Sequence, residues 1–169
     1  MKLNLGCEND FWGDVRVDCI QTDAANYVID LNRGLPELQD NSFSEIRAFS
    51  ILEHIHNLIF LMDEIFRVAK EGASLHIVVP YWTWNGAVAD PQHCRYFNEE
   101  SWFHYSVDWP RLVLRSGITH GYFKSYNLRM NALPGQDIED RLHRMNIVHD
   151  MYVNAIVGKD MSILQKGLQ

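Results

Sequence analysis

The sequence predicts an α/β domain built on a doubly wound, parallel sheet. Three observations carry that prediction. Short apolar runs alternate with covering segments, one amphipathic helix precedes a near-continuous apolar run, and the first runs each end at a glycine or an acid. A chain of 169 residues with 47% hydrophobic side chains fits one domain around one core, spanning residues 1–169.

The elements follow in order. Lys2–Leu5 is a short apolar strand ending at Gly6. Asp14–Cys19 alternates Val15 and Val17 on one face and places Asp18 near its end. Tyr27–Leu31 is a third run carrying Asp30 near its end, and Glu45–Ser50 is a fourth. Asn57 is the expected N-cap of a helix reaching about Lys70, with Gly72 as its C-terminal stop. Its Leu58, Leu61, Met62, Ile65, Phe66 and Ala69 recur at helical spacing and form one stripe. Leu75–Val79 has the pattern of a central strand covered on both faces, ended by Pro80. Only 11 residues, Cys7 to Val17, separate Gly6 from Asp18, against about 10–12 for the shortest complete crossover. The first crossover is therefore expected to be abbreviated to a turn or two of helix, or to a loop around Trp12-Gly13-Asp14.

After Pro80 the texture changes. Residues 81–97 are aromatic and polar with few periodic signals, and Asn98 and Asp108 are expected caps of two short helices, with Pro110 tolerated at the start of the second. Gly121–Asn131 and Met151–Val157 are expected strands flanking a polar helix over Asp137–Arg144. The chain thus divides into a first half, 1–80, and a lid-and-last-strands half, 81–169.

Composition narrows the function classes. Lys plus Arg is 15 against 22 Asp plus Glu, a net charge of −7 without a basic stripe, which disfavours a nucleic-acid partner. No apolar run approaches the roughly 18 residues of a membrane span, so a cytoplasmic location is expected. Cys7, Cys19 and Cys94 form no metal-like spacing and suit reduced thiols. Trp82, Trp84, Trp102 and Trp109 are candidates for a pocket wall or for core, and the aromatics near 102–109 for an exposed interface between copies or with a partner subunit.

In open α/β sheets ligands bind at the carboxyl ends of strands near the reversal of strand order. A glycine there admits close approach of a ligand, and successive acids can accept ribose hydroxyls and an exocyclic amine. This describes an adenosine site. GxGxxG and GxxxxGK[ST] are both absent, so nothing in the pattern calls for a pyrophosphate.

Leu3-Asn4-Leu5-Gly6-Cys7, Val17-Asp18, Asp30-Leu31, Leu35-Pro36 with Asp40-Asn41-Ser42-Phe43-Ser44-Glu45-Ile46, Ile51-Leu52-Glu53-His54-Ile55 and Glu64-Ile65-Phe66-Arg67-Val68 together resemble the class I S-adenosylmethionine-dependent methyltransferases, in particular their small type 11-like members. Asp90-Pro91-Gln92-His93-Cys94-Arg95-Tyr96-Phe97 resembles a segment after the fifth strand of the short members. The resemblance implies a Rossmann-like, mostly parallel sheet with an antiparallel C-terminal strand, and S-adenosyl-L-methionine as cofactor. It also implies roles. The Asn4, Gly6, Cys7 turn would hold the methionine part, Asp18 the ribose, Asp30 with Leu31 the adenine, and Ser50 the floor of the site. Glu8 stands where the family usually has a second glycine. Its side chain would crowd the cofactor, turn to solvent, or meet the cofactor's ammonium group.

Methyl transfer from a sulfonium needs alignment, exclusion of water and removal of a proton from a hydroxyl or amine. His54, just past the fourth strand, and His93, past the fifth, are the candidate catalytic bases, although His54 equally suits a helix cap and His93 a loop network. Tyr81, Trp82, Arg95 and Tyr96 are candidate substrate walls. His54, His56, His93 and Cys94 match no ligand-spacing motif, so no metal is expected. Asp63, Glu64 and the acids at 99–100 are expected on solvated helix faces. Two functions follow: methyl transfer to an oxygen or nitrogen of a small-molecule or glycan-like acceptor, or a non-catalytic binding module or partner subunit with a degenerate cofactor loop.

Overall fold

The computed structural model describes residues 1–132 and 148–167. The polar helix expected over 137–144 lies outside them. Seven strands form one sheet: β1 Lys2–Leu5, β2 Val15–Asp18, β3 Tyr27–Val28, β4 Phe43–Phe49, β5 Ala69–Pro80, β6 Tyr122–Ala132 and β7 Val148–Gly158. Their order is β3-β2-β1-β4-β5-β7-β6, so the direction of winding reverses between β1 and β4. β1 to β5 pair in parallel and β7 pairs antiparallel to both β5 and β6. This is the doubly wound, Rossmann-like topology expected, with the antiparallel strand last.

Helix α1, Leu58–Val68, begins where the sequence placed it. The Asn57 side chain accepts from the Phe60 N–H, and Leu58, Leu61, Met62, Ile65, Phe66 and Val68 are all buried. Its end differs. β5 starts at Ala69, and Gly72, with φ +75°, lies in an irregular stretch of that strand rather than at a helix C-terminus. The other helices among the described residues are short: α2 Asn85–Ala89, α3 Pro110–Arg115 and α4 Ser162–Lys166, with 3₁₀ turns at Leu31–Arg33, Leu52–His54 and Glu99–Tyr105. Asn98 caps the last of these in a reciprocal capping box. Asp108 caps nothing: it accepts from the Ser106 hydroxyl, and Trp109 occupies the cap position of α3.

The first crossover contains no helix at all. Residues 6–14 form a loop stitched down by the Asn4 amide donating to Asp10, the Asp10 N–H donating to the Cys7 carbonyl and the Lys2 N–H donating to Asp14. The third run is shorter than expected because Asp30 turns the chain, capping the Leu31–Arg33 turn through the Asn32 N–H.

The two faces of the sheet differ sharply. Ile46, Ala48, Leu75, Ile77, Val153 and Ala155 are buried in the core shared with α1, where Phe66 meets Phe123 and Tyr105. Trp102 is buried there too, stacked on Phe97, so it belongs to the core and not to an exposed interface. On the opposite face Glu45 pairs with Lys2 and lies near His76, whose ring meets Asn154, and the Arg47 guanidinium lies 3.7 Å over the Trp12 ring. The apolar run of β5 therefore has full cover on one face. On the other, Ser74 and His76 stay half-buried beside Ser125, Tyr126, Asn127 and Asn154.

Asp63 and Glu64 are not solvated. Asp63 accepts from the Thr119 and His120 backbone N–H groups, and Glu64 accepts from the Leu35 N–H and pairs with Arg67 at 2.7 Å. The Glu99 carboxylate receives the Tyr81 hydroxyl.

Candidate functional site

Beside the β1/β4 reversal the strand ends form a concavity of about 130 Å³, lined by Gly6, Asp18, Cys19, Asp30, Leu31, Asn32, Ile51, His54 and Ile55. Five of the sequence-predicted residues, Gly6, Asp18, Asp30, Leu31 and His54, meet there. Gly6 has φ +66°, and a Cβ at this position would stand 2.7 Å from the Ile51 side chain. Glycine is thus required both by backbone conformation and by close packing of Ile51.

Asp18 is 7% exposed and already engaged: Oδ2 accepts from the Glu8 N–H at 2.8 Å, and Oδ1 from the Ile20 N–H at 3.2 Å. A carboxylate offers about four lone-pair sites, so this one keeps acceptor capacity toward the concavity. Asp30 accepts from the backbone and the side chain of Asn32, whose own amide oxygen accepts from the His56 N–H. The turn under the concavity is thereby tied to the segment after β4. A more open groove of about 410 Å³ continues past Asp30 along Val28, Ile29, Arg33, Pro36 and Glu37.

Four predicted residues do not line the concavity. The buried Asn4 side chain is held by Asp10, and the Cys7 side chain packs against Ala24 and Ala25. Glu8 and Ser50 are exposed, and both have left-handed backbone, φ 44° and 49°. Such a conformation costs a non-glycine residue about 1 kcal/mol or more. Of the alternatives for Glu8, the structure shows the carboxylate on the surface, outside the concavity.

A second cluster adjoins the first through His54. The His54 and His93 rings meet edge to face with centroids 4.8 Å apart, so the two candidate bases are brought together. The His93 Nδ1 lies 2.9 Å from the Ala87 carbonyl, which fixes that nitrogen as the donor and leaves Nε2 with its lone pair, 3.8 Å from Asp90 Oδ2. Beside them lies Glu53, 1% exposed, whose Oε2 has no hydrogen-bond partner among the described residues. Burial pushes its carboxyl up to about 7. Glu53 escaped the sequence reading because it sits in an apolar run, Ile51-Leu52-Glu53-His54-Ile55, with no ligand-spacing partner nearby. It is buried by a distant segment: Cys94 donates its N–H to the Glu53 carbonyl.

The candidate substrate walls separate into two groups. Arg95 and Tyr96 border a cavity of about 370 Å³ together with Leu58, Phe97, His104 and Tyr105. The Arg95 guanidinium, however, donates to the Ile55 and His56 carbonyls, so it clamps the segment after Glu53. Tyr81 and Trp82 lie outside that cavity, bridged to Phe97.

No family model matches the chain, and no curated protein matches it in sequence. Solved structures match in fold. A methyltransferase dependent on S-adenosylmethionine from Archaeoglobus fulgidus is 15% identical, with TM-score 0.61 over 92% of this chain and 85% of its own. A possible histamine N-methyltransferase from Thermotoga maritima is 13% identical, with TM-score 0.60 over 92% and 80%. The [4+2]-cyclase SpnF is 13% identical, with TM-score 0.55 over 92% and 74%. The chain has the fold of the S-adenosylmethionine-dependent methyltransferases, a fold that also carries a cyclase.

Proposed function

We propose that this protein is an S-adenosylmethionine-dependent methyltransferase acting on an oxygen or nitrogen of a small-molecule or glycan-like acceptor. The observation that supports this reading most is the concavity at the strand-order reversal, where Gly6, Asp18, Asp30 and Leu31 come together from separate strand ends. Its donors and acceptors suit an adenosine. The Asp18 lone pairs not used by Glu8 and Ile20 accept ribose hydroxyls, Asp30 and Leu31 face the adenine, the Asn4–Cys7 turn and Ser50 border the methionine part, and Glu8 reaches the ammonium group from the surface.

S-adenosylmethionine supplies an electrophilic methyl group on a sulfonium. The chain then has to align the acceptor and take its proton. His93, with Nδ1 held by the Ala87 carbonyl, offers Nε2 as the base, and His54 stands between that nitrogen and the concavity. Tyr96 and the stem of Arg95 wall the acceptor side, with Tyr81 and Trp82 bordering it beyond Phe97. Among the described residues no helix is long and apolar enough to cross a membrane.

The fit is partial in one respect. A pocket that encloses a ligand of this size usually has about 300 Å³ or more, and Ile51 fills the space in front of Gly6. That observation favours a second reading, a binding module or partner subunit without turnover. Titration calorimetry and thermal denaturation with S-adenosylmethionine and S-adenosylhomocysteine separate the two. The enzyme reading expects both to bind and to raise Tm; absence of heat and of any shift at millimolar cofactor overturns it.

A further inference from the structure

The cluster of Glu53, His54 and His93 has a feature that edge-to-face packing of two imidazoles does not explain. A carboxylate 1% exposed keeps one oxygen without a partner while facing two ring nitrogens. Burying an unpaired acceptor of this kind costs stability, and more when it is charged. A fold that keeps it needs something to offset that cost.

We propose that Glu53, His54 and His93 form a divalent transition-metal site, with zinc as the cation the donor set suits best. One ligand atom from each residue lies within 4.8 Å of the others. Ligands of a tetrahedral dication with bonds of about 2.0–2.2 Å stand roughly 3.4 Å apart, so closing the site needs an inward movement on the order of 1 Å shared by three side chains. Two imidazoles and a carboxylate are a common catalytic zinc set, leaving further positions for water or an acceptor oxygen. The outer contacts are those of a metal site as well. His93 places Nδ1 against the Ala87 carbonyl at 2.9 Å, which orients its ring and leaves Nε2 as the nitrogen free to ligate, with Asp90 Oδ2 3.8 Å from it as an outer carboxylate.

The spacing of these residues in sequence conceals the site. Glu53 and His54 are neighbours, while His93 comes from the loop after α2 and is pinned beside them because the Cys94 N–H and thiol both donate to the Glu53 carbonyl. Sequence reasoning grouped His54 and His93 with His56 and Cys94, left Glu53 out, and found no motif. A cation here and direct proton transfer by His93 exclude one another at the same lone pair, so metal content decides which of them handles the acceptor's proton. The site itself does not depend on methyl transfer.

The test uses the full chain, stripped with chelator and titrated with zinc chloride, read by calorimetry and by thermal denaturation. One equivalent is expected to bind and to raise Tm. Glu53→Gln and His93→Gln are each expected to weaken binding by more than about 10-fold, whereas His56→Ala leaves it unchanged. Cobalt in place of zinc gives a visible spectrum whose intensity reports coordination number, and His54→Gln should alter it. That measurement keeps the proposal testable if either of the first two variants fails to fold. Absence of a bound equivalent at millimolar zinc overturns the proposal, as does affinity indifferent to Glu53→Gln and His93→Gln, or affinity that disappears with His56→Ala.

Discussion

Two buried acids stand at or just past the ends of β2 and β4, the strands that flank β1, and meet opposite fates. Asp18, the last residue of β2, has each carboxylate oxygen matched by a backbone N–H from its own surroundings. Glu53, past β4, is more deeply buried and keeps Oε2 without a partner. The first acid organises a loop, and its ligand-binding capacity is what remains after that work. The second is held against its own preference by packing of a segment some forty residues away, which is the pattern of a site that is complete only with something bound.

That contrast can be broken by substitution, and the largest effect should come from the loop. Gly6→Ala adds a Cβ at φ +66° and 2.7 Å from Ile51; strain and overpacking together should destabilise by about 2–4 kcal/mol in denaturant titration. Ile51→Ala in the same chain should recover the overpacking part alone. Asp18→Ala should cost about 1–3 kcal/mol, because the N–H groups of Glu8 and Ile20 lose their acceptors. Glu53→Gln should act with the opposite sign. In metal-free buffer above about pH 7, where the raised carboxyl is ionised, it removes a buried charge without removing a hydrogen bond from Oε2, so stability should hold or rise by about 1 kcal/mol. A loss of stability comparable to that of Asp18→Ala would dissolve the distinction between the two acids.

The smallest effect belongs to the scaffold that serves both. Arg67 beside Glu64 holds the Glu64 carboxyl below the usual range. A lowered pKa in the folded chain contributes stability that is complete above the ordinary carboxylate value of about 4.3 and is lost as pH falls through the folded value. Glu64→Gln should therefore flatten the acid limb of the stability profile, with an effect below about 1 kcal/mol at that step.

The same contrast explains what was legible in the sequence. β1, β2 and α1 are written locally, in alternation, in a helical stripe and in the Asn57 cap, and Gly6, Asp18, Asp30 and Leu31 occupy strand or turn ends that such patterns locate. Gly72 misled because a glycine after a helical stripe fits a C-terminal stop, while its positive φ here serves an irregular stretch of β5. Trp102 was left open between core, pocket wall and interface, because the 3₁₀ turn that carries it has no apolar periodicity to place its inner face. Glu53 was hidden for a stronger reason: its burial, its unpaired oxygen and its approach to His93 are all products of long-range packing.

The central claim is that the acid-lined concavity takes the adenosine half of the cofactor, and calorimetric titration of S-adenosylhomocysteine tests it most directly when Asp30→Ala is compared with the unmodified chain. Asp30 caps only a short surface turn, so its loss spares the fold better than that of Asp18. Single-site binding weakened by about 10-fold or more in Asp30→Ala is the predicted result; equal affinity in the two chains, or no binding to either, would contradict it.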